Sequence, residues 1–206
     1  MKDSRPSWMP GLSRVRTVFV LAVMMLGASP LGGSTHQEPG TPEMENPDFH
    51  GALPWEIPED GEKMVVHRIV DGDTFQLTYP HDDWYYPTRL IGIQAPEMDG
   101  PYTREGCYGQ ESREFLIELL PIGSEVVVQK DITNEDRNGR RLRHVFVVEP
   151  GPSGRDDAYL VAEILVLGGF AEARDYPPDD LYDDVLAEAE EIARSDNDGL
   201  WGSCAT

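Results

Sequence analysis

The chain has 206 residues with 17 Lys+Arg against 38 Asp+Glu, a formal net charge of -21, and its length fits one domain with tails. So acidic a balance excludes a protein whose whole surface attracts polyanions, because net repulsion slows and weakens that association. Any nucleic-acid function must rest on a local basic cluster, or on salt and metal ions that screen the rest.

At the N-terminus, Lys2, Arg5, Arg14 and Arg16 precede the apolar run from Val18 to Leu26, and small residues follow at Gly27, Ala28, Ser29, Gly32 and Gly33. This pattern reads as a signal peptide over residues 1–33, cleaved somewhere in 28–36. The run is shorter than the ~20 residues a spanning helix needs, so no stable membrane span is expected after processing; a short membrane anchor is the alternative. Residues 34–62 are rich in Pro, Glu, Gly and Asp and read as a flexible acidic linker. The folded domain is expected over 63–206.

Met64 to Val70 is rich in β-formers and ends at Asp71-Gly72-Asp73, a turn signal. Thr74 to Tyr79 alternates as a second strand, and Pro80 to Asp83 reads as a hairpin loop. Tyr86 to Ile93 is a third strand, with Pro87 at its start. A helix is predicted from Gly109 to Leu120, stopped by Pro121. Glu125 to Lys130 is a fourth strand. Asn138-Gly139 is a hairpin turn signal, and Leu142 to Val148 is a fifth strand. Ala158 to Leu167 reads as a helix ending at Gly168-Gly169, and Leu181 to Arg194 as an acidic amphipathic helix with a core stripe of Leu181, Val185, Leu186, Ala189 and Ile192. Asp196 to Gly199 reads as a helix-ending turn. The expected fold is α+β, mainly β: a five-stranded Greek-key barrel of OB-fold size with about three helices. The only cysteines, Cys107 and Cys204, lie in the exported portion, where disulfides persist. One bridge between them is expected; free thiols or an intermolecular pair are the alternatives.

Charged residues recur at predicted strand ends: Asp71 and Asp73 at the first turn, Arg89 in the third strand, Glu97 beyond it and Arg140 after the Asn138-Gly139 turn. Two guanidiniums can hold a phosphate through charge-assisted hydrogen bonds. A carboxylate can take a proton from water, and paired aspartates supply hard oxygen ligands for Ca²⁺ or Mg²⁺. Together these are the parts of metal-assisted phosphodiester hydrolysis. The stretch Arg89-Leu90-Ile91-Gly92-Ile93-Gln94-Ala95-Pro96-Glu97 poses a geometric problem. Fully extended, it would hold its end charges roughly 26 Å apart, so a shared site requires the chain to turn between them. His67 and His144 fall in strands and are read as packing or solvent-facing residues, since no His/Cys set has zinc spacing.

Ile69-Val70-Asp71-Gly72-Asp73-Thr74, the Arg89–Glu97 stretch, Tyr108-Gly109-Gln110-Glu111, Asp136-Arg137-Asn138-Gly139-Arg140 and Gly199-Leu200-Trp201 resemble, in order, the motifs of the staphylococcal (micrococcal, thermonuclease) nuclease family. The resemblance covers roughly residues 63–202. It implies an OB-fold barrel with three helices and Ca²⁺-dependent cleavage of DNA and RNA, leaving a 3′-phosphate; the substrate is expected to be preferentially single-stranded and the protein a monomer. Arg89 and Arg140 match the arginines that bind the scissile phosphate, and Glu97 matches the general base. Asp73 matches a metal-ligating aspartate, Asp71 a supporting carboxylate, and Ala95 a backbone carbonyl ligand. Arg137 and Tyr176 are candidate substrate contacts. A second ligating aspartate of the family falls on Gln94, whose neutral oxygen can ligate Ca²⁺ with one charge fewer. The alternative function is an OB-fold module that binds nucleic acid without efficient cleavage.

Overall fold

The structure is a computed structural model that describes residues 49–100 and 106–204. The signal-peptide segment and the first part of the linker lie outside the described residues. Five strands form the barrel: β1 (Glu62–Ile69), β2 (Thr74–Thr78), β3 (Tyr86–Leu90), β5 (Glu125–Gln129) and β6 (Arg141–Pro150). They run in the order β3-β2-β1-β5-β6, and a parallel β3–β6 pairing closes the circle. Closure removes the exposed edges that would otherwise template aggregation. In β1, Met64, Val66 and Ile69 turn inward. Their spacing departs from strict alternation because His67 is an extra residue, a bulge between Val66↔Leu77 and Arg68↔Gln76. Phe75 and Leu77 of β2, Val126 and Val128 of β5, and Val145 and Phe146 of β6 join them in one core.

Three predicted elements come out differently. The third strand does not run through to Ile93. It ends at Leu90, and Gly92 takes φ 82°, a conformation that favours glycine. A side chain on Gly92 would run into Leu186. The chain then starts the two-residue strand β4 (Ile93–Gln94), which pairs with β8 (Glu172–Ala173). Residues 156–160, whose C-terminal part was predicted as helix, form strand β7 (Asp156–Leu160) on β6, and helix α2 occupies only Val161–Leu167. The apolar run is continuous across both, and α2 is buried at every position, so periodicity could not separate strand from helix. The Asn138-Gly139 turn does not join β5 directly to β6; it sits within a longer connection, next to the isolated bridge Glu135↔Arg141.

Helix α1 (Gly109–Leu119) and helix α3 (Asp183–Asp196) match their predicted positions, and α4 (Leu200–Ser203) adds a last turn. Of the predicted stripe, Leu186 and Ala189 are buried, with Ala193. Leu181 precedes the helix and is 42% exposed. Asp183 and Asp184 complement the positive end of α3, and Asn197 ends it with φ 57° as the turn signal implied. The sulfurs of Cys107 and Cys204 are bonded, tying α4 to the loop before α1. Residues 49–61, assigned to the flexible linker on composition, lie against the domain. Ala52 is buried, Trp55 pairs with Ala158, and the Trp55 indole donates to Glu163 at 2.9 Å. No helix among the described residues is long and apolar enough to cross a membrane.

Candidate active site

The β1–β2 turn, the end of β3, the segment after β4, the loop before β6 and the segment after β8 meet at one mouth of the barrel. They enclose a pocket of about 110 Å³ lined by Asp71, Asp73, Arg89, residues 94–97, Arg140 and Tyr176. The Arg89–Glu97 problem is resolved by the break at Gly92, which lets the chain leave the barrel wall and return Glu97 to Arg89's pocket.

Asp71 and Asp73 are set by their turn. The Asp71 carboxylate accepts the Asp73 backbone N–H at 3.1 Å. The glycine between them is required by close approach, since a Cβ there would lie 2.7 Å from the Ala95 side chain and 2.8 Å from that of Ser112. Asp73 is buried, and its carboxylate accepts hydrogen bonds from the Ala95 N–H at 2.8 Å and the Thr74 hydroxyl at 3.0 Å. It also pairs with Arg89 at 3.1 Å. Burial pushes the Asp73 carboxyl up to about 6, against the lowering pull of Arg89 and with a raising contribution from Asp71.

Arg89 is almost wholly enclosed. Its guanidinium donates to the Leu90 carbonyl at 3.0 Å, the Ile93 carbonyl at 3.0 Å and the Gln94 side-chain oxygen at 3.2 Å. These bonds make it a fixed charge rather than a mobile clamp. Arg140 is held differently. Its Nε donates to Asp136 at 2.8 Å and Nη1 to the Thr74 hydroxyl at 3.2 Å, and Nη2 makes no protein hydrogen bond among the described residues. Burial raises the Asp136 carboxyl, but hydrogen bonds from Arg140 and the Asn138 N–H outweigh it and hold the group below the usual carboxylate range. Glu97 is exposed at the pocket's edge, and its carboxylate has no hydrogen-bond partner among the described residues. Its backbone carbonyl accepts the Gly106 N–H at 2.8 Å, next to disulfide-bonded Cys107.

The Tyr176 ring centre lies 5.8 Å from the Arg89 guanidinium carbon, within cation–π range. Arg137 stands exposed on the Asp136–Gly139 turn and does not line the pocket. Three residues were missed. The Thr74 hydroxyl links Asp73 to Arg140, Asp136 aims Arg140, and Arg174 donates to Gln94 at 3.1 Å. Only Arg174 left a usable signal, its place two residues before the candidate substrate contact Tyr176.

The donors fit the hard-oxygen chemistry of a divalent cation, through the Asp73 carboxylate, the Gln94 amide oxygen and the Ala95 carbonyl, with Asp71 behind them. Among the described residues, no three His, Cys, Asp or Glu side chains gather closely enough to hold a metal alone, so neutral oxygens must complete any shell. Both neutral oxygens are already engaged. Gln94 Oε1 faces two guanidiniums, and the Ala95 carbonyl accepts from Gln94 Nε2 at 3.0 Å.

The model of the family described as "Staphylococcal nuclease homologue" matches residues 87–203. The chain is similar to a thermonuclease of Staphylococcus intermedius, 30% identical over 141 residues, covering 68% of this chain and 77% of that protein. It is also similar to a thermonuclease of Staphylococcus hyicus, 28% identical over 138 residues, covering 67% and 75%. The matched region holds Arg89, Gln94, Glu97, Cys107, Arg140 and Tyr176, and the chain belongs to the staphylococcal nuclease family.

Proposed function

We propose that the protein is a secreted, monomeric nuclease that hydrolyses phosphodiester bonds of DNA and RNA, with single strands preferred. The observation that carries this reading is the convergence of Arg89, Arg140, Glu97, Asp71 and Asp73 on one pocket from four separate stretches of chain. Arg140 offers its unused Nη2 to a phosphate oxygen, and the anchored charge of Arg89 faces the same phosphate. Both are in place before charge develops on phosphorus, so little reorganisation is needed in the transition state. Glu97 accepts a proton from the attacking water. A new oxygen–phosphorus bond forms as the bond to the 5′ oxygen breaks; the 5′ oxygen takes a proton from solvent and leaves as a hydroxyl, and a 3′-phosphate remains. A Ca²⁺ ion held by Asp73, Gln94 Oε1 and the Ala95 carbonyl would supply Lewis-acid polarisation of the phosphate. Arg137 and Tyr176 serve as outer substrate contacts. The basic and apolar N-terminus supports export, and the Cys107–Cys204 bridge suits an oxidising compartment.

A second reading, binding without efficient cleavage, is favoured by Gln94, whose oxygen is tied to two guanidiniums. The test incubates the purified protein with end-labelled single-stranded DNA in Ca²⁺, Mg²⁺, Mn²⁺ or chelator. Fragments that appear with a divalent cation, and vanish in Glu97→Gln and Arg140→Ala, support the nuclease. Retained oligonucleotide that stays intact under every condition supports the binding module.

A further inference from the structure

We infer that Arg174 is a third phosphate-binding residue of this site, with Gln94 as the positioning residue that holds it there. This rests on the nuclease reading above. The ligand is a backbone phosphate of single-stranded nucleic acid at the mouth of the pocket.

The backbone fixes the arrangement first. Strand β8 pairs with β4 in the register Ile93↔Ala173 and Gln94↔Glu172. The next residue, Arg174, donates its N–H to the Gly92 carbonyl at 2.8 Å. Its side chain then reaches Gln94, where Nη1 donates to Oε1 at 3.1 Å. The same oxygen accepts from Arg89 Nη2 at 3.2 Å, while Gln94 Nε2 donates to the Ala95 carbonyl at 3.0 Å. The amide cannot be turned over, because its NH₂ would then face two guanidiniums, which only donate. Arg174 is exposed, so its remaining N–H groups stay available at the rim. Tyr176, two residues further on, lines the pocket.

The choice of an amide at position 94 has an electrostatic consequence. A carboxylate between two guanidiniums would pair with both and offset a unit of positive charge. The amide oxygen accepts from both and offsets nothing. The pocket and its rim then set Arg89, Arg140 and Arg174 against Asp71, Asp73, Glu97 and Asp136, the partner of Arg140. That balance is a single negative charge, where a carboxylate at position 94 would make it two, in a chain of net charge -21. Gln94 thus weakens a cation shell and strengthens a phosphate grip by the same substitution.

The test measures binding of a fluorescein-labelled single-stranded oligonucleotide in chelator, without turnover, from 50 to 200 mM salt. Arg174→Ala should weaken binding about fivefold and reduce the log–log salt slope by about 0.7, the value for one lost phosphate contact on a single strand. Arg174→Lys should restore the slope. Gln94→Ala should weaken binding at unchanged slope, and should have less effect in an Arg174→Ala background. Arg155→Ala is the control, an exposed cation in the β6–β7 loop, roughly 30 Å along β6 from the site, and it should change neither quantity. A wild-type protein that binds and cleaves, with slope and affinity unmoved in Arg174→Ala, overturns this inference and leaves the nuclease reading standing. Additive Gln94 and Arg174 effects overturn the positioning role. A wild-type protein that neither binds nor cleaves overturns both readings.

Discussion

Arg89→Ala separates the structural from the chemical part of the site. The guanidinium is the only partner of opposite charge within pairing distance of Asp73 among the described residues, at 3.1 Å, with side chains 3% and 6% exposed. Removing one partner of a buried pair costs about 3–5 kcal/mol, because the other charge is left without compensation. The cost depends on pH. The folded-state value of Asp73 is about 6, raised first by burial, and Arg89 is the largest influence lowering it. A carboxyl with a raised folded value is relatively most stable below its unfolded value, and that stability is lost as pH rises through the folded value. Without Arg89 the folded value moves higher still, and the loss extends beyond pH 6. The variant should therefore be destabilised most at pH 8 and distinctly less at pH 5, where its Asp73 is protonated and no unpaired charge is buried. Urea denaturation of wild type and variant at the two pH values measures this. Initial rates on single-stranded DNA, taken where the variant is folded, should fall about 10²–10³-fold, as for loss of one preorganised donor. Equal destabilisation at pH 5 and pH 8 would refute the account of Asp73 as a buried, Arg89-compensated charge.

Glu97→Gln should lower kcat by about 10²–10⁴-fold, with little change in thermal midpoint or in oligonucleotide affinity in chelator, since the exposed carboxylate has no protein partner among the described residues. Gln94→Asp should tighten Ca²⁺ binding roughly tenfold by adding an anionic ligand, read by calorimetry without substrate; unchanged affinity would remove Gln94 from the cation site. Reducing the Cys107–Cys204 bridge, 97 residues apart in sequence, should cost about 4–5 kcal/mol in the chain-entropy model, measured by denaturant titration with and without reductant. His144 is pushed down to about 4 by burial, against Asp131 and Asp179. A depressed histidine binds protons more readily unfolded, so stability should fall as pH drops from about 6.5 towards 4. His144→Gln should flatten that part of the pH–stability curve.

The barrel was legible because its strands carry their own punctuation. Asp71-Gly72-Asp73 ends one strand, and Pro80 to Asp83 separates two others. Element boundaries failed where tertiary context overrides local pattern. Ile91 to Ile93 look like more strand, and only the left-handed Gly92 beneath Leu186 shows why the chain must leave the sheet. Ala158 to Leu160 were misassigned because a strand and a helix buried on all sides share one apolar signature. Within the site, ordered motifs were enough to nominate Arg89, Glu97 and Arg140 but not their supports. Thr74 and Asp136 look like ordinary turn residues in sequence; the Asp136 bond to Arg140 is local to its turn, and the Thr74 bond exists only once β2 and the 130–140 connection meet. The buried state of Arg89 was equally hidden, since an arginine closing an apolar strand can as well be a surface ion-pair partner.

The acidity that argues against a nucleic-acid partner and the pocket that argues for one act over different ranges. At physiological salt the Debye length is about 8 Å, so carboxylates spread over the surface are largely screened from a strand already seated at the barrel mouth. Within that radius the substrate meets guanidiniums whose orientation is fixed by protein acceptors. Arg89 is held by two backbone carbonyls, and Arg140 by Asp136. The distant charge acts chiefly on approach, where repulsion lowers the association rate, while the local set decides how long a bound phosphate stays. An acidic chain can therefore hold a polyanion provided its few arginines are concentrated and their carboxylate partners leave N–H groups free, as Asp136 leaves Nη2 of Arg140. Gln94, an amide placed between two guanidiniums, accepts from both without adding a further carboxylate to offset their charge.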